Sequence, residues 1–394
     1  MTSEQIKALD HQSVMQTYGR FDVVIDHGEG ATLYSPEGRA YIDFASGIGV
    51  ASVGYGHPHW LKAVNEQAAK LAHVSNLFYS EPYVRLAAML TERTGMADVF
   101  FANGGGEANE GIIKLARKYS FDKYGKGRST IITLHNSFHG RTITTLQATG
   151  QDVFHQYFFP FTEGFRYADA DSLDSVKAQA GADTCAVMLE LIQGEGGVLP
   201  LDKGFIQELA AYCAENDYLL LVDEVQTGVG RTGSLFCFQQ YGIQPDAITF
   251  AKGIAGGLPM SGVLCNEKCR NVLGPGTHAT TFGGNPIAAA AANAVLEVLD
   301  DAMMAEINRK GAYLRESIAA FQSPYVETVR GMGLMVGIVL KDGADRSGLV
   351  QKLYGQNLLV LTAGPRTIRL LPPLVINQEE MDAGLAVLKD VLTH

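Results

Sequence analysis

The chain has 394 residues, 46% apolar and 19% charged, which is enough for a full core and excludes bulk disorder. Its 31 basic and 42 acidic side chains leave a formal charge of −11, a poor match to nucleic acid or an anionic membrane surface. The five cysteines form no C-x-x-C pair, no basic leader precedes an apolar stretch, and no apolar run reaches the ~18 residues of a membrane helix; neither a disulfide framework nor a zinc site is expected, and the cytoplasm is the expected location.

Residues 21–44 alternate as hairpin-like segments: Val23-Val-Ile, Ala31-Thr-Leu-Tyr, a turn at Pro36-Glu-Gly, then Tyr41-Ile-Asp-Phe. The middle of the chain alternates short apolar runs with helical stripes. The runs are Asp98–Ala102, Thr130–Leu134, Cys185–Leu189, Tyr218–Val222 and Ala247–Phe250, each apolar on both faces, as in strands covered from two sides. Ala108, Ile112, Leu115, Ala116 and Tyr119 keep to one helical face, and Phe205, Leu209, Tyr212 and Cys213 repeat that spacing. This is βαβ order, so an α/β fold with a mostly parallel sheet is predicted. Asn285-Pro286 caps a further long helix, and Leu334–Leu340 and Thr367–Leu371 read as αβ material beyond it. The expected organisation is an N-terminal segment (1–56), a large domain (57–284) and a C-terminal part (285–394), with both termini building the smaller α+β domain.

Ligands of open parallel sheets sit outside the carboxyl ends of the strands, so the residues following each run are the candidates. Asn103-Gly-Gly-Gly-Glu107 opens a helix, where glycines and free N–H groups suit a phosphate. Phe138-His-Gly-Arg141 offers a ring to stack and a guanidinium for a carboxylate. Glu190 and Glu195 flank a glycine turn. Asp223 and Lys252 each follow a buried run, about one βαβ unit apart, and so share one rim. A desolvated lysine is a candidate imine-forming nucleophile, and a buried acid can keep a pyridine nitrogen protonated. Singly, each motif is equally readable as a solvated loop. Together they describe what pyridoxal phosphate needs. A nucleotide-binding oxidoreductase lacks its dinucleotide fingerprint here. A binding protein that merely retains the fold has no use for Lys252.

At these positions the sequence resembles the class III aminotransferases of the pyridoxal-phosphate-dependent fold type I. The resemblance runs through Thr17-Tyr18, Gly38–Phe44, Gly56-His-Pro58, Glu107-Ala-Asn-Glu110, Phe138–Arg141, Gln193–Gly197, Asp223-Glu-Val-Gln226, Gly230-Arg-Thr-Gly233, Ala251-Lys-Gly253 and Thr281–Pro286. It implies a large domain with a seven-stranded, mostly parallel sheet. It implies that Lys252 holds the cofactor and moves a proton, that Asp223 pairs with the pyridine nitrogen, and that Phe138 stacks on the ring with Val225 and Gln226 beside it. Gly105 and Gly106 are implied as phosphate donors. Thr281 would reach the phosphate, and Thr280 the substrate, of a neighbouring subunit, so the resemblance implies a homodimer with shared sites. The Tyr18 region, Arg141 and Arg369 are similar to those of members that transfer an amino group from N2-acetylornithine to 2-oxoglutarate in ping-pong fashion. Arg141 would hold the first substrate's carboxylate and Arg369 the second's, with Glu195 neutralising Arg369 in between. Succinylornithine, ornithine and 4-aminobutyrate are the alternative donors. Two departures stand out: Gly104 and Gly106 replace the usual Ser and Thr/Ala of the phosphate loop, implying a looser cradle, and Leu191 replaces the usual Pro.

Overall fold

A computed structural model describes residues 1–394. Strands β1 (His27–Glu29), β2 (Thr32–Tyr34) and β3 (Ala40–Asp43) form an antiparallel meander. The apolar Val23–Ile25 run expected to join it lies outside the sheet; pairing begins only where Asp26 N donates to Tyr34 O. Seven further strands build the central sheet: β4 (Asp98–Ala102), β5 (Thr130–Leu134), β6 (Phe165–Ala168), β7 (Thr184–Leu189), β10 (Leu219–Asp223), β11 (Ala247–Phe250) and β12 (Ser261–Cys265), after a small hairpin of β8 (Ile192–Gln193) and β9 (Leu199–Pro200). Their order is β4-β12-β11-β10-β7-β5-β6, and β12 alone runs against the rest. Every residue of β5, β7, β10, β11 and β12 is buried, the expected state of a sheet covered on both faces.

The five predicted strands of this sheet are present, and β6 and β12 are additional. β12 reads poorly as a strand because it opens Ser-Gly, yet Gly262 is required there: a Cβ would meet the Phe250 ring at 2.5 Å. The helix Gly105–Tyr124 lays Ala108, Ile112, Leu115 and Ala116 against the sheet. Gly111 lies within it at a helix-propensity cost of about 1 kcal/mol, and a Cβ there would come within 3.2 Å of Val263 on β12.

A second antiparallel sheet, order β13-β14-β17-β16, comes from β13 (Val326–Met332), β14 (Met335–Leu340), β16 (Leu361–Ala363) and β17 (Thr367–Leu370). Between them β15 (Leu358–Leu359) pairs parallel with β3, so the two ends of the chain share one sheet. Asn285 caps the helix Pro286–Val298, accepting from Ile287 N and Ala288 N, and that helix packs on Pro58–Lys70 and Glu81–Thr94. All five cysteines are buried and unpaired, and no helix is long and apolar enough to cross a membrane.

Candidate active site

The carboxyl ends of β4, β5, β7, β10 and β11 open on one cavity of about 650 Å³. Asn103–Gly106, Asn109, Phe138–Thr142, Glu190, Asp223, Val225, Gln226 and Lys252 line it. The strand-end rule therefore collects residues spread over 150 positions, because each βα connection returns the chain to the same rim.

One wall is the N-terminus of the helix Gly105–Tyr124. The Glu107 carboxylate turns back to accept from Asn103 N at 2.9 Å, Asn103 Nδ2 at 3.1 Å and Gly104 N at 3.0 Å. Gly104 at the cap position has no side chain, so the first N–H groups of the helix, Gly105 and Gly106 among them, keep their donors free. Gly105 is obligatory: a Cβ would stand 2.8 Å from Val225 Cγ1. Gly104 and Gly106 are not; the first faces open space and the second would meet Thr142 Cγ2 at an ordinary 3.5 Å. Glu107 on one side and Ser261 Oγ, donating to Gly104 O at 2.8 Å, hold the loop in place without those two side chains.

On the floor, Asp223 is 4% exposed. Its Oδ2 accepts from Asn109 Nδ2 at 2.7 Å and meets His139 Nδ1 at 2.9 Å, and its Oδ1 accepts from Val225 N at 3.0 Å. Asn109 is set in turn by Thr249 Oγ1, which donates to its Oδ1 at 2.8 Å. Asn109 and His139 lie inside the Glu107–Glu110 and Phe138–Arg141 motifs, whose letters alone do not mark them as partners of Asp223. The overlooked signal is Asn109 itself, a polar residue on the buried stripe between Ala108 and Ile112.

Lys252 sits in a left-handed conformation, φ 46°, at the start of a 3₁₀ turn, a strain of about 1–3 kcal/mol that marks functional positions. Its ammonium makes no hydrogen bond to the protein. Burial lowers its pKa; the charge of Arg369 does the same, and Glu195, Asp223 and Glu190 oppose it. Glu190, unassigned in the sequence, accepts from Phe138 N at 2.9 Å and Gly194 N at 3.2 Å, and burial pushes it up to about 7. Those bonds, with Tyr241 Oη donating to Leu191 O at 3.1 Å, fix the turn where Leu191 replaces proline.

Beside Lys252, Arg369 Nη1 donates to Glu195 Oε1 at 2.6 Å and to Gln226 Oε1 at 3.0 Å. Burial pushes the Glu195 carboxyl up, but the charge and hydrogen bond of Arg369, and the charge of Lys252, outweigh it and hold the pKa below its usual value. Arg141 makes no ion pair; its guanidinium lies 4.2 Å from the Phe154 ring centre and 5.5 Å from that of Phe138. Three expected residues are not brought to Lys252 within this chain. Tyr18 is 72% exposed, with the Arg20 guanidinium over its ring. Thr280 Oγ1 accepts from Asn103 Nδ2 at 3.1 Å, and Thr281 lies exposed in the next turn.

Residues 14–392 match the family model of the Aminotransferase class-III proteins. The chain belongs to this family. It is 50% identical to an acetylornithine aminotransferase of Haemophilus ducreyi over the whole of both chains. Among solved structures, an ornithine aminotransferase of Toxoplasma gondii superposes with a TM-score of 0.95 at 32% identity, over 100% of this chain and 95% of that one. An acetylornithine aminotransferase of Elizabethkingia anophelis superposes with a TM-score of 0.88 at 31% identity, over 100% and 99%. The family works with pyridoxal phosphate, and the cavity fits it. A glycine cradle that a Cβ at Gly105 would fill, free helix N–H groups, a buried carboxylate and a partly desolvated amine without a hydrogen-bond partner all face one space. The protein is a transaminase acting on a small-molecule amino donor and a keto acid.

Proposed function

We propose that the protein moves the δ-amino group of N2-acetylornithine to 2-oxoglutarate, giving N-acetylglutamate 5-semialdehyde and glutamate, in arginine biosynthesis in the cytoplasm. The observation that carries this reading is the closed Arg369–Glu195–Gln226 contact next to Lys252, in a site that also offers an unpaired Arg141. A distal amine and an α-amine must use the same lysine in turn. With Arg369 neutralised by Glu195, a donor whose carboxylate goes to Arg141 enters with its δ-amine foremost. With the contact opened, Arg369 takes the α-carboxylate of glutamate.

Bound in the cavity, pyridoxal phosphate supplies an electron sink for the carbon that loses its proton. Lys252 Nζ holds the cofactor between turnovers and takes the proton from the amine-bearing carbon, a role favoured by its lowered pKa. Asp223, fixed by Asn109 and His139, holds a proton on the pyridine nitrogen. Phe138 covers the ring, Val225 and Gln226 lie beside it, and the N–H groups of Gly105 and Gly106 meet the phosphate. Tyr18 contacts substrate. A second copy of the chain supplies Thr281 to the phosphate and Thr280 to the substrate side, so the working unit is a homodimer. We assign residues 1–56 and 285–394 to the small domain and 57–284 to the large one.

The TM-score of 0.95 to an ornithine aminotransferase favours one second reading, free ornithine as donor. Comparing kcat/KM for glutamate formation from 2-oxoglutarate with N2-acetylornithine, ornithine, succinylornithine and 4-aminobutyrate separates them. N2-acetylornithine is expected to lead; a lead by ornithine replaces the first reading with the second.

A further inference from the structure

Just beyond the Arg369 strand lies a knot of buried polar contacts that the mechanism above leaves unused. Arg231, in the turn that follows Asp223–Gln226, is 2% exposed. Its Nη1 donates to Leu334 O at 3.0 Å and Pro372 O at 2.6 Å, and its Nη2 to Ser46 Oγ at 3.5 Å. The carboxylate whose charge acts on it, Asp43, instead accepts from Ala45 N, Ser46 N and Tyr55 Oη. Burial pushes this guanidinium down to about 9. A buried cation bonded only to neutral oxygens is an expensive group to keep.

What it fastens is specific. Ser46–Gly49 runs through four successive left-handed residues, φ 42°, 63°, 67° and 77°, and includes the β-branched Ile48. Such a turn persists only where its surroundings over-determine it. Ser46 Oγ donates to Leu371 O at 2.5 Å, Leu371 N donates to Phe44 O at 2.7 Å, and Leu374 N donates to Ser52 O at 2.8 Å, so the turn and the end of β17 are laced together. Ser52 Oγ donates in turn to Gly253 O at 2.7 Å, next to Lys252. Arg231 therefore holds from behind the Ser46 turn and the Pro372 carbonyl, which flank the polar path from the end of the Arg369 strand through Leu374 and Ser52 to the turn of Lys252.

We propose that Arg231 is a positioning residue for the second substrate: through Pro372 and Ser46 it sets where Arg369 stands relative to Lys252, and so governs capture of the dicarboxylate. This rests on the assignment of Arg369 as the carboxylate-binding residue. Lysine cannot reproduce the three-way fork of a guanidinium. In the cofactor-loaded Arg231→Lys protein, binding of glutarate, an unreactive dicarboxylate, measured by calorimetry, is expected to weaken about tenfold or more, with a matching rise in KM for 2-oxoglutarate. The KM for N2-acetylornithine, whose carboxylate goes to Arg141, and the visible absorbance of the bound cofactor stay as in the wild type. Unchanged glutarate binding overturns the proposal, and so does an equal loss for both substrates with release of cofactor, the mark of a merely structural role. If Arg231→Lys fails to fold, Ser46→Ala decides: weaker glutarate binding with unchanged cofactor absorbance supports the clamp, and unchanged binding overturns it. Arg369→Gln run alongside tells the two readings apart, because unchanged glutarate affinity there removes the assignment of Arg369 itself.

Discussion

Replacing Glu195 by Gln removes the charge that closes the site on Arg369 while leaving the shape. In the wild type Arg369 donates to Glu195 at 2.6 Å and to Gln226 at 3.0 Å, and an incoming dicarboxylate must displace the first of these. A hydrogen bond to a charged group is worth about 1.5–3 kcal/mol net, and with Glu195 31% exposed the lower end applies. About 1.5 kcal/mol is roughly a tenfold change in affinity. Glutarate should therefore bind the cofactor-loaded Glu195→Gln protein about tenfold more tightly at fixed ionic strength. The half-reaction with N2-acetylornithine should slow by a similar factor, because Arg369 now stands unneutralised where the acetylornithine chain passes. Calorimetry with glutarate and single-turnover absorbance with each amine read the two effects separately. If both are unchanged, or if glutarate binds more weakly, Glu195 does not gate Arg369 and the two-carboxylate logic fails.

Four other outcomes follow from the same geometry. Lys252→Ala should abolish borohydride-dependent fixation of the cofactor, read as loss of a cofactor-sized mass increment on the intact protein; retained fixation would place the attachment elsewhere. Asn109→Ala removes a 2.7 Å bond to buried Asp223, a contact worth about 1.5–3 kcal/mol, so kcat should fall by about ten- to a hundredfold, and a change under twofold would mean that His139 and Val225 N suffice to hold Asp223. Gly105→Ala should cost cofactor affinity because its Cβ would stand 2.8 Å from Val225, whereas Gly104→Ser, facing open space, should bind cofactor at least as well as the wild type; equilibrium dialysis checks the contrast. Burial pushes Glu224 from 4.5 up to about 7, so the folded chain binds a proton that the unfolded chain has released. The associated stability is complete below about pH 4.5 and is lost as pH rises through about 7. Thermal unfolding of Glu224→Gln should accordingly lose less stability than the wild type between about pH 5 and pH 8.

The central sheet was legible where strands were buried on both faces and apolar throughout, as in Thr130–Leu134 and Ala247–Phe250. It was not legible at β12, whose Ser261-Gly262 start lowers strand propensity for the sake of the Phe250 ring above it. Strand-end reasoning reached Lys252, Asp223 and Phe138 because topology, not local preference, puts them on one rim. Arg369 and Glu195 lie far apart in the chain, and their juxtaposition came only from family resemblance; no spacing rule predicts a contact between a hairpin turn and a distant strand. Asn109 and His139 were visible as letters but not as partners of Asp223, since a hydrogen bond across three elements leaves no trace in periodicity. The left-handed Ser46–Gly49 turn was the least legible feature, because Ile48 locally disfavours it and only the Asp43, Arg231 and Leu371 contacts keep it.

The most direct measurement is single-turnover absorbance of the cofactor-loaded protein mixed with one amine at a time and no keto acid. N2-acetylornithine and glutamate should each bleach the visible band rapidly, and ornithine and 4-aminobutyrate slowly. Faster bleaching by ornithine or 4-aminobutyrate than by N2-acetylornithine would contradict the proposed donor, and failure of glutamate to bleach the band would contradict the shared site of Arg141 and Arg369.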